Sequence, residues 1–256
     1  MDDHLQSKIY HNAQEVAVYV REAFGVAYTP QGMTDLLHRL GFVYKKPKRV
    51  PGKADPQKQK VFVEEYRKLK EQSGPHDRIF FMDGVHPQHN SQPIYGWIKK
   101  GILKEIKSNT GRQRLNVNGA IDVDNFELVY REDPTINADS TIALFQQLEE
   151  KNPLAQRIVV IADNARYYRA QRVTDYLKES KIEILFLPPY SPNLNLIERL
   201  WKLFNQSVKG NAYYDTFARF KQASFAFLDN LHERRDRLAS LLTENFQITG
   251  LNFSQS

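Results

Sequence analysis

Arg157-Ile158-Val159-Val160-Ile161-Ala162-Asp163-Asn164 sets the fold reading of this chain. Five consecutive apolar residues, several β-branched, run straight into a carboxylate. Such a run predicts a strand buried on both faces, as in a parallel sheet covered by helices. A charge is costly inside that sheet, so Asp163 is expected where the strand leaves it. In open α/β sheets, ligands bind at this carboxyl end of the strands.

The flanking sequence extends the pattern in both directions. Towards the N-terminus, Arg78-Ile79-Phe80-Phe81-Met82-Asp83-Gly84 is a second buried strand running into an acid. Between the two, Ile94 to Lys100, Arg112 to Ile121 and Phe126 to Tyr130 read as strands. They are separated by Gly101, by Asn109-Thr110-Gly111 and by Asp122 to Asn125. Asp139 is expected to cap a helix carrying Ile142, Phe145 and Leu148. Towards the C-terminus, a helix from about Tyr167 to Glu179 precedes a strand from Ile182 to Leu187. Pro188 and Pro189 stop that strand, and Ser191-Pro192 starts a helix as N-cap and first-turn proline. Glu198 is expected in the second turn of that helix, among Leu194, Ile197, Leu200 and Trp201. Strands followed by alternating helices and strands predict an α/β fold, a mixed sheet with helices on its faces. Its first strand is antiparallel to its hairpin neighbour and parallel to later strands. Residues 211–246 read as helical, and their Tyr and Phe side chains as core.

The first 60 residues have a different character. Ala13, Val16, Ala17, Val20 and Phe24 follow helical spacing, with Asn12 and Glu15 placed as a capping box and Gly25 as terminator. Thr29-Pro30 opens a second helix whose apolar face is Met33, Leu36, Leu37 and Leu40, ended by Gly41. Two short amphipathic helices joined by a tight turn outline a helix-turn-helix, and equally an ordinary helical hairpin. The second helix exposes Gln31, Thr34, His38 and Arg39, all able to contact bases or phosphates. From Arg39 to Lys60 there are eight basic residues, including Lys45, Lys46, Lys48 and Arg49, against the single acid Asp55. Pro47, Pro51, Gly52 and Pro56 break regular structure there. A basic, proline-punctuated linker can track a phosphate backbone. The net charge of +6 points the same way, towards an acidic partner such as DNA. The chain has no cysteine, which excludes disulfides and thiolate metal sites. No apolar run has membrane-spanning length and the first residues carry no secretion signal pattern, so a cytoplasmic protein without a membrane partner is expected.

Asp83, Asp163 and Glu198 share one property: each acid ends, or is embedded in, a strongly apolar element. Taken singly, each is explained by a strand-end cap or a surface ion pair. Together they can meet at one rim of the sheet, the third supplied by a helix packed on that face. Such hard oxygen ligands suit Mg²⁺ or Mn²⁺. Two such ions can clamp the attacking and leaving oxygens of a phosphoryl displacement. Asn164, beside Asp163, is a candidate to orient it.

In order and spacing these acids, with 34 residues between Asp163 and Glu198, resemble the DDE transposases of the IS630/Tc1/mariner superfamily. Leu187-Pro188-Pro189-Tyr190-Ser191-Pro192-Asn193-Leu194-Asn195-Leu196-Ile197-Glu198 is similar to that family's signature around its glutamate. Asp163-Asn164-Ala165 and Met82-Asp83 match the blocks at its two aspartates. The likeness covers roughly residues 30 to 210. It implies an RNase H-like catalytic domain and metal-dependent cleavage at transposon ends, followed by strand transfer by the freed 3′-hydroxyl. It implies as partners the terminal inverted repeats, target DNA and a second copy of the chain in the DNA complex. Localisation would be the bacterial cytoplasm, at the nucleoid when DNA is bound. The expected organisation is a winged-helix-like helix-turn-helix at 1–44, a basic linker and helix at 45–76, the catalytic domain at 77–210 and a helical extension at 211–256. Two departures stand out. Tyr167-Tyr168 occupies a place where many relatives carry histidine, and there is room for one helix-turn-helix where relatives tend to have two. A DNA-binding regulator with a silent catalytic domain, and an RNase H-like nuclease without strand transfer, are the alternative functions.

Overall fold

The computed structural model describes residues 1–47 and 50–250, so Lys48 and Arg49 of the basic linker lie outside the described residues. The chain divides into two compact units, Met1–Arg49 and Val50–Ser256. In the first, α1 (Asp2–Ser7), α2 (Ala13–Phe24) and α3 (Pro30–Arg39) enclose Leu5, Val16, Ala17, Val20 and Met33. The caps are those the sequence predicts. Asn12 Oδ1 accepts from the Glu15 N–H, Gly25 turns the chain at φ 69°, and Thr29 Oγ1 accepts from the Gly32 N–H. Leu40 is the exception, since it is exposed at the helix end. Gly41, at φ 83°, reverses the chain there and Phe42 packs on the cluster instead. His38 and Arg39 are exposed. Gln31 is exposed as well and hydrogen-bonds Asp35, while Thr34 is half-buried and bonds the Pro30 carbonyl, both within the helix.

The second unit opens with α4 (Pro56–Gln72), longer than its apolar run suggests because Asp55 Oδ1 accepts from the Gln57 and Lys58 N–H groups. The sheet follows, built from β1 (Asp77–Val85), β2 (Val117–Asp122), β3 (Leu128–Glu132), β4 (Arg157–Ala162) and β5 (Ile182–Phe186) in the order β3-β2-β1-β4-β5. β1 is antiparallel to β2 and parallel to β4, as expected, and β4 is parallel to β5. The intervening helices are α5 (Ala138–Lys151) and α6 (Gln171–Leu177), and the chain ends in α7 (Ile197–Lys209), α8 (Phe217–Asp229) and α9 (Arg235–Leu241). Strand alternation sorts the core into two layers. Ile79, Phe81, Val117, Ile121, Val159 and Ile161 face α4, α7, α8 and α9. Phe80, Met82, Ala120, Ile158, Val160 and Ala162 face α5 and α6. Phe220, Phe227 and Leu238 of the C-terminal helices are buried in the first layer as expected, whereas Tyr213 is exposed and residues 211–216 are not helical.

Several expectations fail locally. The strand expected at Ile94 to Lys100 does not form. The Asn211 side chain takes both the N–H and the carbonyl of Ile94, the groups a sheet ladder would use. Beyond it the chain leaves the surface, with Tyr95 and Trp97 fully exposed. The β2 strand begins only at Val117, because residues 113–115 pair with the 87–89 segment through the Gln113 and Pro87 carbonyls. His89 is buried there, bonded to the Tyr214 carbonyl and stacked on Phe220. Asn137, not Asp139, caps α5, with Ser140 completing a capping box. The helix expected at Tyr167 to Glu179 splits into a 3₁₀ turn, Arg166–Arg169, and α6, because Ala170 between them is extended. Ser191 makes no cap either. Pro192–Leu194 forms a 3₁₀ turn, Asn195 is extended, and α7 starts at Ile197, which places Glu198 in its first turn.

Candidate active site

Register and alternation place the two aspartates. The β1–β4 pairing advances one for one from Asp77–Arg157 to Phe81–Ile161. Continued two residues, it sets Asp83 beside Asp163. Both fall on the α7 face, since Phe81 and Ile161 do, and side chains repeat every second residue. Asp83 is paired with Gly119 inside β1, while Asp163 follows the last residue of β4.

Glu198 comes from α7, the helix packed on that face. Leu200, Trp201, Leu203, Phe204 and Val208 bury its inner side. Gly119 sets how close the helix comes. A Cβ there would lie 2.9 Å from Trp201 Cη2, so the indole occupies the space a side chain would need.

The three acids line one cavity of about 480 Å³, walled by Asn164, the Leu187–Pro192 turn and Asn195. Tyr190, in that turn, adopts φ 57°, a strained backbone for a non-glycine residue. Burial, then the nearby Glu198 and Asp163 charges, push the Asp83 carboxyl up to about 8, against the pull of the Gly84 N–H. Glu198 is also raised, by burial and by Asp163, while its hydrogen bond with Asp83 works the other way. Burial and mutual repulsion thus disfavour full ionisation of Asp83 and Glu198, and a cation between them would relieve it.

Supporting groups fix the loops. Asn164 Nδ2 donates to the Leu187 carbonyl at 2.5 Å, and its Oδ1 accepts from Arg169 at 2.7 Å. Both ends of this amide are thus engaged within the protein. The Arg169 guanidinium lies 3.8 Å from the centre of the Phe186 ring. Asp163 Oδ1 accepts from the Ala165 N–H. Tyr168 is buried in the α5-side core and Tyr167 packs edge-on against it at 4.5 Å. Burial and the Asp163 and Asp83 charges raise the Tyr167 hydroxyl. Asn195 and Arg169 are participants that residue-type reading overlooked. A polar residue between buried Leu194 and Leu196 was the available signal for Asn195.

The donor set suits a hard divalent cation, since the charged groups lining the cavity are three carboxylates. Among the described residues, no three His, Asp or Glu side chains close into a finished metal cage. An open set of carboxylates is what Mg²⁺ uses, since it keeps several waters and takes further ligands from substrate phosphates.

A five-stranded sheet in this order, flanked by helices and carrying acids on two adjacent strands and a packed helix, defines an RNase H-like domain. Residues 78–221 match the DDE superfamily endonuclease family, and the chain belongs to it. Residues 8–66 match a winged helix-turn helix family. The chain is 22% identical over 197 residues to the insertion element IS630 uncharacterized 39 kDa protein of Shigella sonnei, covering 77% of this chain and 57% of that one. It thus spans little more than half the length of that relative. The fold is similar to the Mos1 transposase paired-end complex with left transposon end, at TM-score 0.66 and 19% identity, covering 96% of this chain and 80% of that one. It is also similar to the Mos1 mariner paired-end complex with Mn, at TM-score 0.64 and 18% identity, covering 96% and 80%. Among the described residues, no helix is long and apolar enough to cross a membrane.

Proposed function

We propose that this chain is the transposase of an insertion sequence, cutting DNA at the element's ends and joining them to target DNA. The observation that carries the reading is the meeting of Asp83, Asp163 and Glu198 in one cavity at the rim of the sheet. All three would serve as ligands for Mg²⁺ or Mn²⁺, two ions being what phosphoryl displacement favours. Divalent cations held there would supply activation of a water or a DNA 3′-hydroxyl and countercharge for the leaving oxygen. The protein's part is to hold the carboxylates rigidly. Asp83 and Asp163 are fixed by the sheet, Glu198 by the buried side of α7, and Asn164 orients the loop after Asp163. Because water and a 3′-hydroxyl are both oxygen nucleophiles, one set of acids serves cutting and joining.

The similar Mos1 structures, paired-end complexes with a transposon end and with Mn, support DNA and a divalent metal as partners. Residues 1–44 are the DNA-reading module, with Gln31, Thr34, His38 and Arg39 towards the groove. Within 45–76, Lys45, Lys46, Lys48 and Arg49 contact phosphates. Residues 77–210 form the catalytic domain and 211–256 an extension that completes its core. Two copies act on paired ends, in the bacterial cytoplasm.

The test uses labelled end DNA with Mg²⁺. Wild type is expected to cleave and join, and Asp163→Asn to do neither while still binding DNA. On pre-cut ends, joining by Asp163→Asn at the wild-type rate would refute the shared site. DNA binding without cleavage by wild type would indicate a regulator, and cleavage without joining a nuclease.

A further inference from the structure

We infer that Asn195 is a positioning residue of the acidic site, setting the separation of Asp83 and Glu198; the inference rests on the metal-binding reading above. Asn195 is buried, 3% exposed, in the extended link between the Pro192–Leu194 turn and α7. Its Nδ2 donates to the Met82 carbonyl at 3.1 Å. A carbonyl only accepts, so the amide orientation is determined. Met82 directly precedes Asp83, just past the point where the β1–β4 pairing ends at Phe81–Ile161. The Asn195 main-chain carbonyl accepts the Glu198 N–H at 3.2 Å. One residue thus joins the peptide beside Asp83 to the peptide of Glu198. Leu194, Leu196 and Ile197 are fully buried around it, so this link cannot slide.

The choice of side chain fits that role. Aspartate would lose the donor and add a fourth carboxyl group to the cavity. An apolar residue would remove the hydrogen bond that ties this link to the Met82 carbonyl. The amide itself is costly here, because Asn195 Oδ1 is enclosed without a hydrogen-bond partner. Leucine would fill similar space without that cost. The position therefore favours the donor function over packing.

The test is binding of Mn²⁺ to the metal-free full chain, read from the electron paramagnetic resonance signal of the free ion. The melting temperature without metal is measured in parallel. Glu198→Gln locates the ion at this site by weakening its binding. For folded Asn195→Leu, Mn²⁺ affinity is expected to fall by about 10–100-fold, as when a group orienting metal ligands is lost. A purely structural role would lower the melting temperature and leave the affinity of the folded protein unchanged, which would overturn the inference and leave the functional reading standing. Absence of Mn²⁺ binding by wild type would overturn both. If Asn195→Leu does not fold, Asn195→Ala decides by the same criteria. Failure of both to fold would assign Asn195 to the fold alone and refute the inference.

Discussion

Replacing Asp83 by asparagine is expected to make the metal-free protein more stable. In the folded chain its carboxyl is pushed up to about 8, by burial first and then by Glu198 and Asp163. In the unfolded chain it titrates in the ordinary range, near 3.9. Between those values the unfolded chain is ionised at this position and the folded one holds a proton. Folding stability therefore falls as pH rises through this window, then levels off above the folded value. One proton corresponds to at most ~1.4 kcal/mol per pH unit. Allowing for relaxation and shared protonation with Glu198, a loss of about 2 kcal/mol between about pH 5 and pH 7 is reasonable. Asp83→Asn removes that loss, so its advantage over wild type grows across the same interval. Urea unfolding in chelator, followed by circular dichroism at both pH values, measures it. Added Mg²⁺ should stabilise wild type and have little effect on Asp83→Asn. A variant less stable than wild type at both pH values, or a difference that does not change with pH, would refute the electrostatic account.

Gly119→Val forces the Trp201 indole away from β2, a small-to-large change that should cost about 1–3 kcal/mol in urea unfolding. It should also weaken Mn²⁺ binding through displacement of α7; unchanged binding would uncouple helix depth from the site. Burial alone would raise Glu149, but Tyr176, Ser180 and the Lys181 N–H outweigh it and lower its pKa. Its stabilising contribution is therefore present above the ordinary glutamate range and lost as pH falls through the lowered value. Unfolding of Glu149→Gln should accordingly differ from wild type at neutral pH and converge with it in acid. Neutralising Lys45 and Lys46 should reduce the slope of log affinity against log salt by about 0.9 per lost phosphate contact. In a filter-binding salt series, an unchanged slope would exclude both from phosphate contact.

The core of the fold was readable because two of its strands are unbroken apolar runs. Ile79–Met82 and Ile158–Ala162 are buried on both faces, and that leaves little choice of conformation. Helix starts were readable where a side chain caps locally, as at Asn12 and Thr29, although at α5 the local cap is Asn137 two residues before the expected Asp139. At Ser191 the expected helix yields to a 3₁₀ turn because Asn195 is held out by Met82, a partner remote in sequence. At Ile94, strand propensity is defeated by Asn211, likewise remote. The carboxylates stood out because each interrupts apolar sequence. Asn195 carries no charge, and its partner is invisible without the sheet register.

The side-chain alternation that sets Asp83 beside Asp163 also divides this gene into segments that length changes treat unequally. Between Val85 and Val117, or between Asp163 and Ile197, the chain can gain or lose residues in its exposed parts while the acids stay on their elements. A single codon added between Phe81 and Asp83, or between Ile161 and Asp163, would turn a carboxylate to the opposite face of the sheet, among Phe80, Met82 and Val160. Surface loop length is therefore open to change without cost to the site, whereas odd-numbered insertions inside two short stretches would dismantle it. A change of two residues there would restore the face and shift the acid one step along the strand, away from Glu198.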